Sequence, residues 1–212
     1  MTPGAMGEVL TGLCARAPVI PVLEIEDVAG ARPLGEALVS GGLPVLEVTL
    51  RTAAALDAIA AIAALPGVTV GAGTLLAPDD VGAAKAAGAA FGVAPGATDR
   101  LLDAAETEGL PLLPGVATAS EAMRLMERGY RLLKFFPAGP AGGTAMLSAL
   151  AGPLPMLGFC PTGGIGPENA GEYLDLANVA CVGGSWVAPR AMMAAEDWAG
   201  IRRLANAAAA LR

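Results

Sequence analysis

The chain has 212 residues, 54% hydrophobic and 16% charged, which supplies a sizeable core and suits a single domain spanning 1–212. A net charge of −7 argues against a nucleic-acid partner, which needs a basic face, while leaving room for a local phosphate pocket. The absence of histidine excludes a Ser-His-Asp triad and a histidine general base, argues against a metal site, and leaves proton transfer to carboxylates and lysine.

Residues 2 to about 16 read as a short amino-terminal helix without the basic region and long apolar core of a signal peptide. No apolar run reaches membrane length without a charge, glycine or proline, so no membrane partner is expected, and the odd, scattered cysteines read as those of a cytoplasmic protein. Pro18 to Ile25 is an apolar, β-branched first strand, followed by a helix near 31 to 40 that Gly41-Gly42 ends. Val45 to Leu50 is the second strand, and Thr52 caps a helix that runs to about Leu65. The cycle repeats with strands at Val68 to Gly73, Phe91 to Ala94, Leu112 to Val116, Leu132 to Phe136, Phe159 to Thr162 and Val179 to Val182. Thr118 and Glu121 form a capping box, and a helix near 196 to 211 closes the chain. Cys14, Cys160 and Cys181 are odd in number and far apart, giving neither a disulfide framework nor metal-ligand spacing; they read as small buried hydrophobes.

Near-continuous apolar strands alternating with helices indicate an α/β protein with a parallel sheet of eight strand–helix units. The chain holds two lysines, Lys85 and Lys134, and only Lys134 sits within an apolar strand. Burial there disfavours the ammonium and favours the neutral, nucleophilic amine. A structural ion pair, or a cation that merely holds phosphate, is the alternative. On strand two, Glu47, Thr49 and Arg51 share parity and so project to one face. Either Glu47 and Arg51 form a structural pair, or Glu47 shuttles protons beside the lysine while Arg51 holds a carboxylate near the mouth. In an open sheet in sequential order, strands two and six would stand about 19 Å apart at roughly 4.8 Å per strand, too far to cooperate. A closed (β/α)8 TIM barrel brings them face to face.

Gly71-Ala72-Gly73-Thr74 ends strand three, where the Thr74 hydroxyl either meets a ligand or caps a tight turn. Pro95 and Pro114-Gly115 punctuate strand ends, with Pro95 a candidate for the pocket wall together with Phe136 and Thr162. Gly163-Gly164 and Gly183-Gly184-Ser185 follow strands seven and eight, the positions at which barrels commonly bind phosphate through backbone amides.

Glu-Val-Thr-Leu-Arg-Thr at 47 to 52, Gly-Ala-Gly-Thr at 71 to 74, Leu-Lys-Phe-Phe-Pro-Ala at 133 to 138, Pro-Thr-Gly-Gly-Ile at 161 to 165 and Gly-Gly-Ser-Trp at 183 to 186 occur in that order. With these motifs the chain resembles the 2-keto-3-deoxy-6-phosphogluconate (KDPG) and 4-hydroxy-2-oxoglutarate (KHG) aldolase family. The resemblance implies a class I aldolase on a (β/α)8 barrel, with Lys134 as the Schiff-base lysine and Glu47 as general acid and base. It implies Arg51 and Thr74 as contacts of the pyruvate carboxylate, and Gly163, Gly164 and Ser185 as the phosphate site. It also implies a homotrimer that uses no cofactor or metal and binds a phosphorylated 2-keto-3-deoxy acid and pyruvate. Ala94 stands where the family pattern calls for Ser. Thr49-Leu50-Arg51 matches the gluconate series, whereas galactonate-series relatives carry Pro-Leu-Asn there. The competing readings are a galactonate-series aldolase on the same barrel, an isomerase that uses Lys134 as a fixed charge, and a metabolite-binding barrel.

Overall fold

The predicted strands are near-continuous apolar runs broken at few positions, which a sheet covered on both sides can bury. In the computed structural model, which describes residues 1–211, the strands pair in parallel and the segments between them coil into helices. The first half of the chain forms α1 (Pro3–Cys14), β1 (Val19–Leu23), α2 (Ala31–Ser40), β2 (Val45–Thr49), α3 (Ala55–Ala63), β3 (Thr69–Gly73), α4 (Pro78–Ala86), β4 (Phe91–Val93) and α5 (Asp99–Glu108). The second half forms β5 (Leu112–Leu113), β6 (Gly115–Val116), α6 (Ala119–Arg128), β7 (Leu132–Phe135), α7 (Gly143–Ala151), β8 (Gly158–Pro161), α8 (Ala170–Leu174), β9 (Val182–Gly184), α9 (Arg190–Ala194) and α10 (Trp198–Ala209). The predicted domain span ends at Arg212, one residue outside the described residues.

The strands form a curled parallel sheet in two segments, one ordered β5-β4-β3-β2-β1-β9 and the other β6-β7-β8. Isolated bridges from Phe159 to Val179 and from Thr162 to Gly183 run between β8 and the β9 segment. The predicted fifth strand is split in two at Pro114, which has no N–H to give to a ladder. The predicted eighth strand is displaced: regular pairing with β1 runs over Val182–Gly184, and Val179 contributes a single bridge. Thr52 does not cap α3; its hydroxyl donates to the Ile25 carbonyl at 2.5 Å, and the helix starts at Ala55. The Thr118–Glu121 capping box is present, with the Glu121 carboxylate accepting from the Ala117 and Thr118 amides at 2.8 and 2.9 Å.

Two packed clusters hold the sheet. The larger joins the outward strand face to the helices, as with Leu46 and Val48 of β2 against Ile59 and Ile62 of α3. The smaller gathers Leu10 and Cys14 of α1 with Ile20, Val45, Phe91, Val93, Leu113, Leu132, Cys160 and Cys181. The amino-terminal helix therefore packs on the inward face of six strands, β1, β2, β4, β5, β7 and β8. Gly71 makes room for this cluster, since a Cβ there would meet the Phe91 ring at 2.4 Å.

The three cysteines, remote in sequence, converge in this inner cluster. Cys181 Sγ lies 3.5 Å from Cys160 Sγ, and all three thiols are buried and free. Hydrogen bonding to Cys14, then to Cys160, and burial push the Cys181 thiol well above its ordinary range. A buried neutral thiol is a poor nucleophile. The native protein should therefore leave its thiols unmodified by an aromatic disulfide reagent for as long as it stays folded, with all three titrating on denaturation. Because the folded state holds the Cys181 proton more tightly than the unfolded chain does, stability should fall as pH rises above about 9. Rapid native-state labelling of any cysteine would contradict this packing.

Candidate active site

Strand parity sets the site in layers. On β2 and β7 the inward residues nearest α1, Val45 and Leu132, are apolar; two residues on come Glu47 and Lys134, followed by Thr49 and Phe136. β2 and β7 belong to different sheet segments, yet Lys134 Nζ lies 3.4 Å from Glu47 Oε1. Both side chains are buried, at 7% and 4% exposure. A buried charge left alone is costly, so each of these groups depends on the other. The Lys134 nitrogen also stands 5.3 Å from the centre of the Phe136 ring.

Neighbouring strands leave space for this pair. Gly73, which lies beside Thr49 in the register, has no Cβ to collide with Glu47; one there would fall 2.2 Å from Oε1. Gly115, the register partner of Lys134, admits the Pro95 carbonyl in the same way, at 2.3 Å from an added Cβ. The Pro95 turn thus packs on the strand beside the lysine.

Above the pair opens a cleft of about 540 Å³ whose lining includes Thr49, Arg51, Phe136, Thr162, Gly163, Gly164, Gly183 and Ser185. Gly163 and Gly164, both in this lining, have φ of +95° and +76°, a conformation that side chains resist. Gly183 lets Thr162 pack close, with its hydroxyl 2.3 Å from where a Cβ would sit. Gly184 does not line the cleft; its missing Cβ accommodates the Trp186 ring. The structure thus assembles the predicted glycine turns, Thr162, Ser185, Phe136 and Arg51 around one opening.

Arg51 does not pair with Glu47, which removes the structural ion pair expected as an alternative. Its guanidinium instead bonds Glu24 Oε2 at 2.9 Å and remains 58% exposed. Thr49 shares the face of Glu47, but its hydroxyl is spent on the Leu23 carbonyl at 3.0 Å. Thr74 lies just beyond Gly73 with φ +62°, an outlier for a β-branched residue. It does not cap a helix, because α4 starts at Pro78 and Asp80 receives the Leu76 and Ala77 amides. Strain of this kind concentrates at functional positions.

Glu24 and Arg190 also line the cleft and bond each other, Arg190 Nη2 to Glu24 Oε1. Sequence reasoning passed over both. The signal available was Glu24 itself, a carboxylate at the end of an apolar run, the same kind of anomaly that marks Lys134. No cluster of three or more His, Cys, Asp or Glu side chains arranged to hold a metal occurs among the described residues.

The family profile described as KDPG and KHG aldolase matches residues 10–204. The 2-dehydro-3-deoxy-phosphogluconate aldolase of Pseudoalteromonas atlantica is 50% identical over 197 residues, 92% of this chain and 92% of that protein. The crystal structure of the Legionella pneumophila KDPG aldolase, with pyruvate captured as a covalent carbinolamine, is 46% identical with a TM-score of 0.92, over 94% of this chain and 98% of that one. The Zymomonas mobilis enzyme with 3-phosphoglycerate is 45% identical with a TM-score of 0.93, over 97% of both chains. By profile match and by identity across most of its length, the chain belongs to the KDPG and KHG aldolase family.

Proposed function

We propose that the protein is a class I aldolase that cleaves 2-dehydro-3-deoxy-6-phosphogluconate to pyruvate and glyceraldehyde 3-phosphate. It cleaves 4-hydroxy-2-oxoglutarate to pyruvate and glyoxylate more slowly. The observation that carries this reading is the buried contact between Lys134 and Glu47 at 3.4 Å, next to a cleft rimmed by glycine turns and an arginine. An amine in that position attacks the keto carbon of the substrate to give a carbinolamine, and loss of water leaves the iminium. The iminium accepts the electron pair of the C3–C4 bond as the C4 hydroxyl gives up its proton. Pyruvate enamine then gains a proton at C3 and is hydrolysed from the lysine. Glu47 carries these protons in turn: it donates to the departing hydroxyl of the carbinolamine, removes the C4 hydroxyl proton, and protonates the enamine. The imine supplies the electron sink, so no cofactor or metal enters the scheme.

Arg51 and Thr74 hold the substrate carboxylate in this reading. Arg51 keeps free donors while bonded to Glu24, and its exposure lets the guanidinium turn. Gly163, Gly164, Gly183 and Ser185 form the phosphate end, with Phe136 and Thr162 as walls, while Gly184 and Pro95, expected there from the sequence, are not among the lining residues. The described residues form one domain, a (β/α)8 barrel. Closure is supported by the two bridges between β8 and the β9 segment and by the ring of six strands packed on α1. Family resemblance carries the homotrimer, and the free cysteines, scattered in sequence, carry the cytoplasmic location.

Glu47→Gln should lower turnover by about 10² to 10⁴ while pyruvate still binds. Gly73→Ala should mimic part of that loss by pushing Glu47 away from the lysine, since the Gly73 backbone itself needs no glycine. Steady-state kinetics with unchanged circular dichroism check both, and near-normal turnover in Glu47→Gln would transfer the proton work to another group.

Substrate choice gives a second test. Removing the phosphate takes away several charge-assisted hydrogen bonds at about 1.5 to 3 kcal/mol each, so kcat/KM should fall at least about 100-fold for the dephosphorylated sugar acid. The gluconate epimer should be cleaved faster than the galactonate epimer. Equal rates with and without phosphate would remove the phosphate end, and preference for the galactonate epimer would reassign the substrate.

A further inference from the structure

Lys134 and Glu47 leave one charged feature of the cleft unused. Its lining carries three charged side chains, Glu24, Arg51 and Arg190, a local excess of one positive charge in a chain of net −7. Glu24 follows the last residue of β1 and divides its carboxylate between the two arginines, Oε2 to Arg51 at 2.9 Å and Oε1 to Arg190. A second acid, Glu26, stands 3.8 Å from the other terminal nitrogen of Arg190.

Arg190 reaches the cleft from the chain segment that follows Ser185, and it shares that lining with Gly163, Gly164 and Ser185. The Arg190 side chain is 65% exposed while that of Glu24 is 19% exposed, so water screens the arginine end of the pair and the guanidinium is the partner free to swing. The pair is therefore cheap to loosen when a stronger anion arrives. A guanidinium has five donors in a planar fork suited to phosphate oxygens, so Arg190 retains donors while Glu24 restrains its head. The two arginines reach Glu24 from different parts of the chain: Arg51 follows β2, the Glu47 strand, whereas Arg190 follows the Ser185 turn.

We infer that Arg190 is a specificity-determining residue, a second cation that meets the substrate phosphate and is positioned for it by Glu24. This rests on the aldolase reading and on the glycine turns as the phosphate end. It extends recognition of the dianion from backbone amides and one hydroxyl to an exposed guanidinium held by Glu24. The consequence is selectivity for phosphorylated over unphosphorylated 2-oxo acids, beyond what the glycine turns supply.

Kinetics of Arg190→Ala and Arg190→Lys with the phosphorylated substrate and with 4-hydroxy-2-oxoglutarate test this. Arg190→Ala should raise KM for the phosphorylated substrate about 10-fold, with kcat changed far less, and should lower the phosphorylated-to-unphosphorylated ratio of kcat/KM by a similar factor. Arg190→Lys should restore part of the ratio, because it keeps the charge and loses the fork. Glu24→Gln should shift the ratio in the unmodified background and leave it unmoved when combined with Arg190→Ala, which isolates the positioning role. An equal fall on both substrates, or an unmoved ratio in Arg190→Ala, would overturn the inference while leaving the aldolase reading intact. Cleavage of neither substrate by the unmodified protein would overturn both.

Discussion

The architecture turns on one buried ion pair, Lys134 with Glu47, formed between strands that share no hydrogen bonds. Desolvating either charge alone is expensive, so the pair persists only because the curl of the sheet brings β2 and β7 face to face. Its surroundings follow from that requirement. Apolar residues and α1 seal one side, which keeps water from that end of the pair. The other side faces the cleft through Thr49 and Phe136, the next inward residues of the two strands, which line it. The lysine thus sits dry one layer below the opening, and imine chemistry requires the keto acid to reach it there.

Missing side chains matter as much as those present. Gly73 yields space to Glu47, Gly115 to the Pro95 turn, Gly183 to Thr162 and Gly184 to Trp186. At each position a Cβ would approach a neighbouring heavy atom to 2.3 Å or less, so these glycines are fixed by neighbours rather than by strand-end turn geometry. Only Gly163 and Gly164, with positive φ, meet the conformational argument usually made for glycine in a phosphate loop. These glycines thus fall into two groups, packing glycines against Glu47, Pro95, Thr162 and Trp186, and positive-φ glycines on the cleft wall.

Much of this was legible in the sequence because buried charge in an apolar strand is rare, and period-two parity then assigns its face. Lys134 and Glu47 were found by that rule, and the strand–helix alternation was read from apolar runs and their punctuation. The rule failed where tertiary contacts override local signals. Thr52 has the chemistry of a cap but is drawn to the Ile25 carbonyl, and regular pairing with β1 moves the last strand to Val182–Gly184. The meeting of Cys14, Cys160 and Cys181 is likewise set by how α1 packs on the inner face, which sequence spacing does not record. Glu24 carried the same anomaly as Lys134 at the edge of its apolar run. Its role became visible only with Arg51 and Arg190, which come from distant parts of the chain.

The central claim is that the Lys134 amine, rather than its charge, does the chemistry. Incubating the protein with pyruvate and borohydride, then mapping peptides by mass spectrometry, tests it most directly. The account predicts irreversible inactivation with one reduced pyruvyl adduct, on the peptide that holds Lys134. An adduct confined to Lys85, or full activity with no adduct at all, would contradict it.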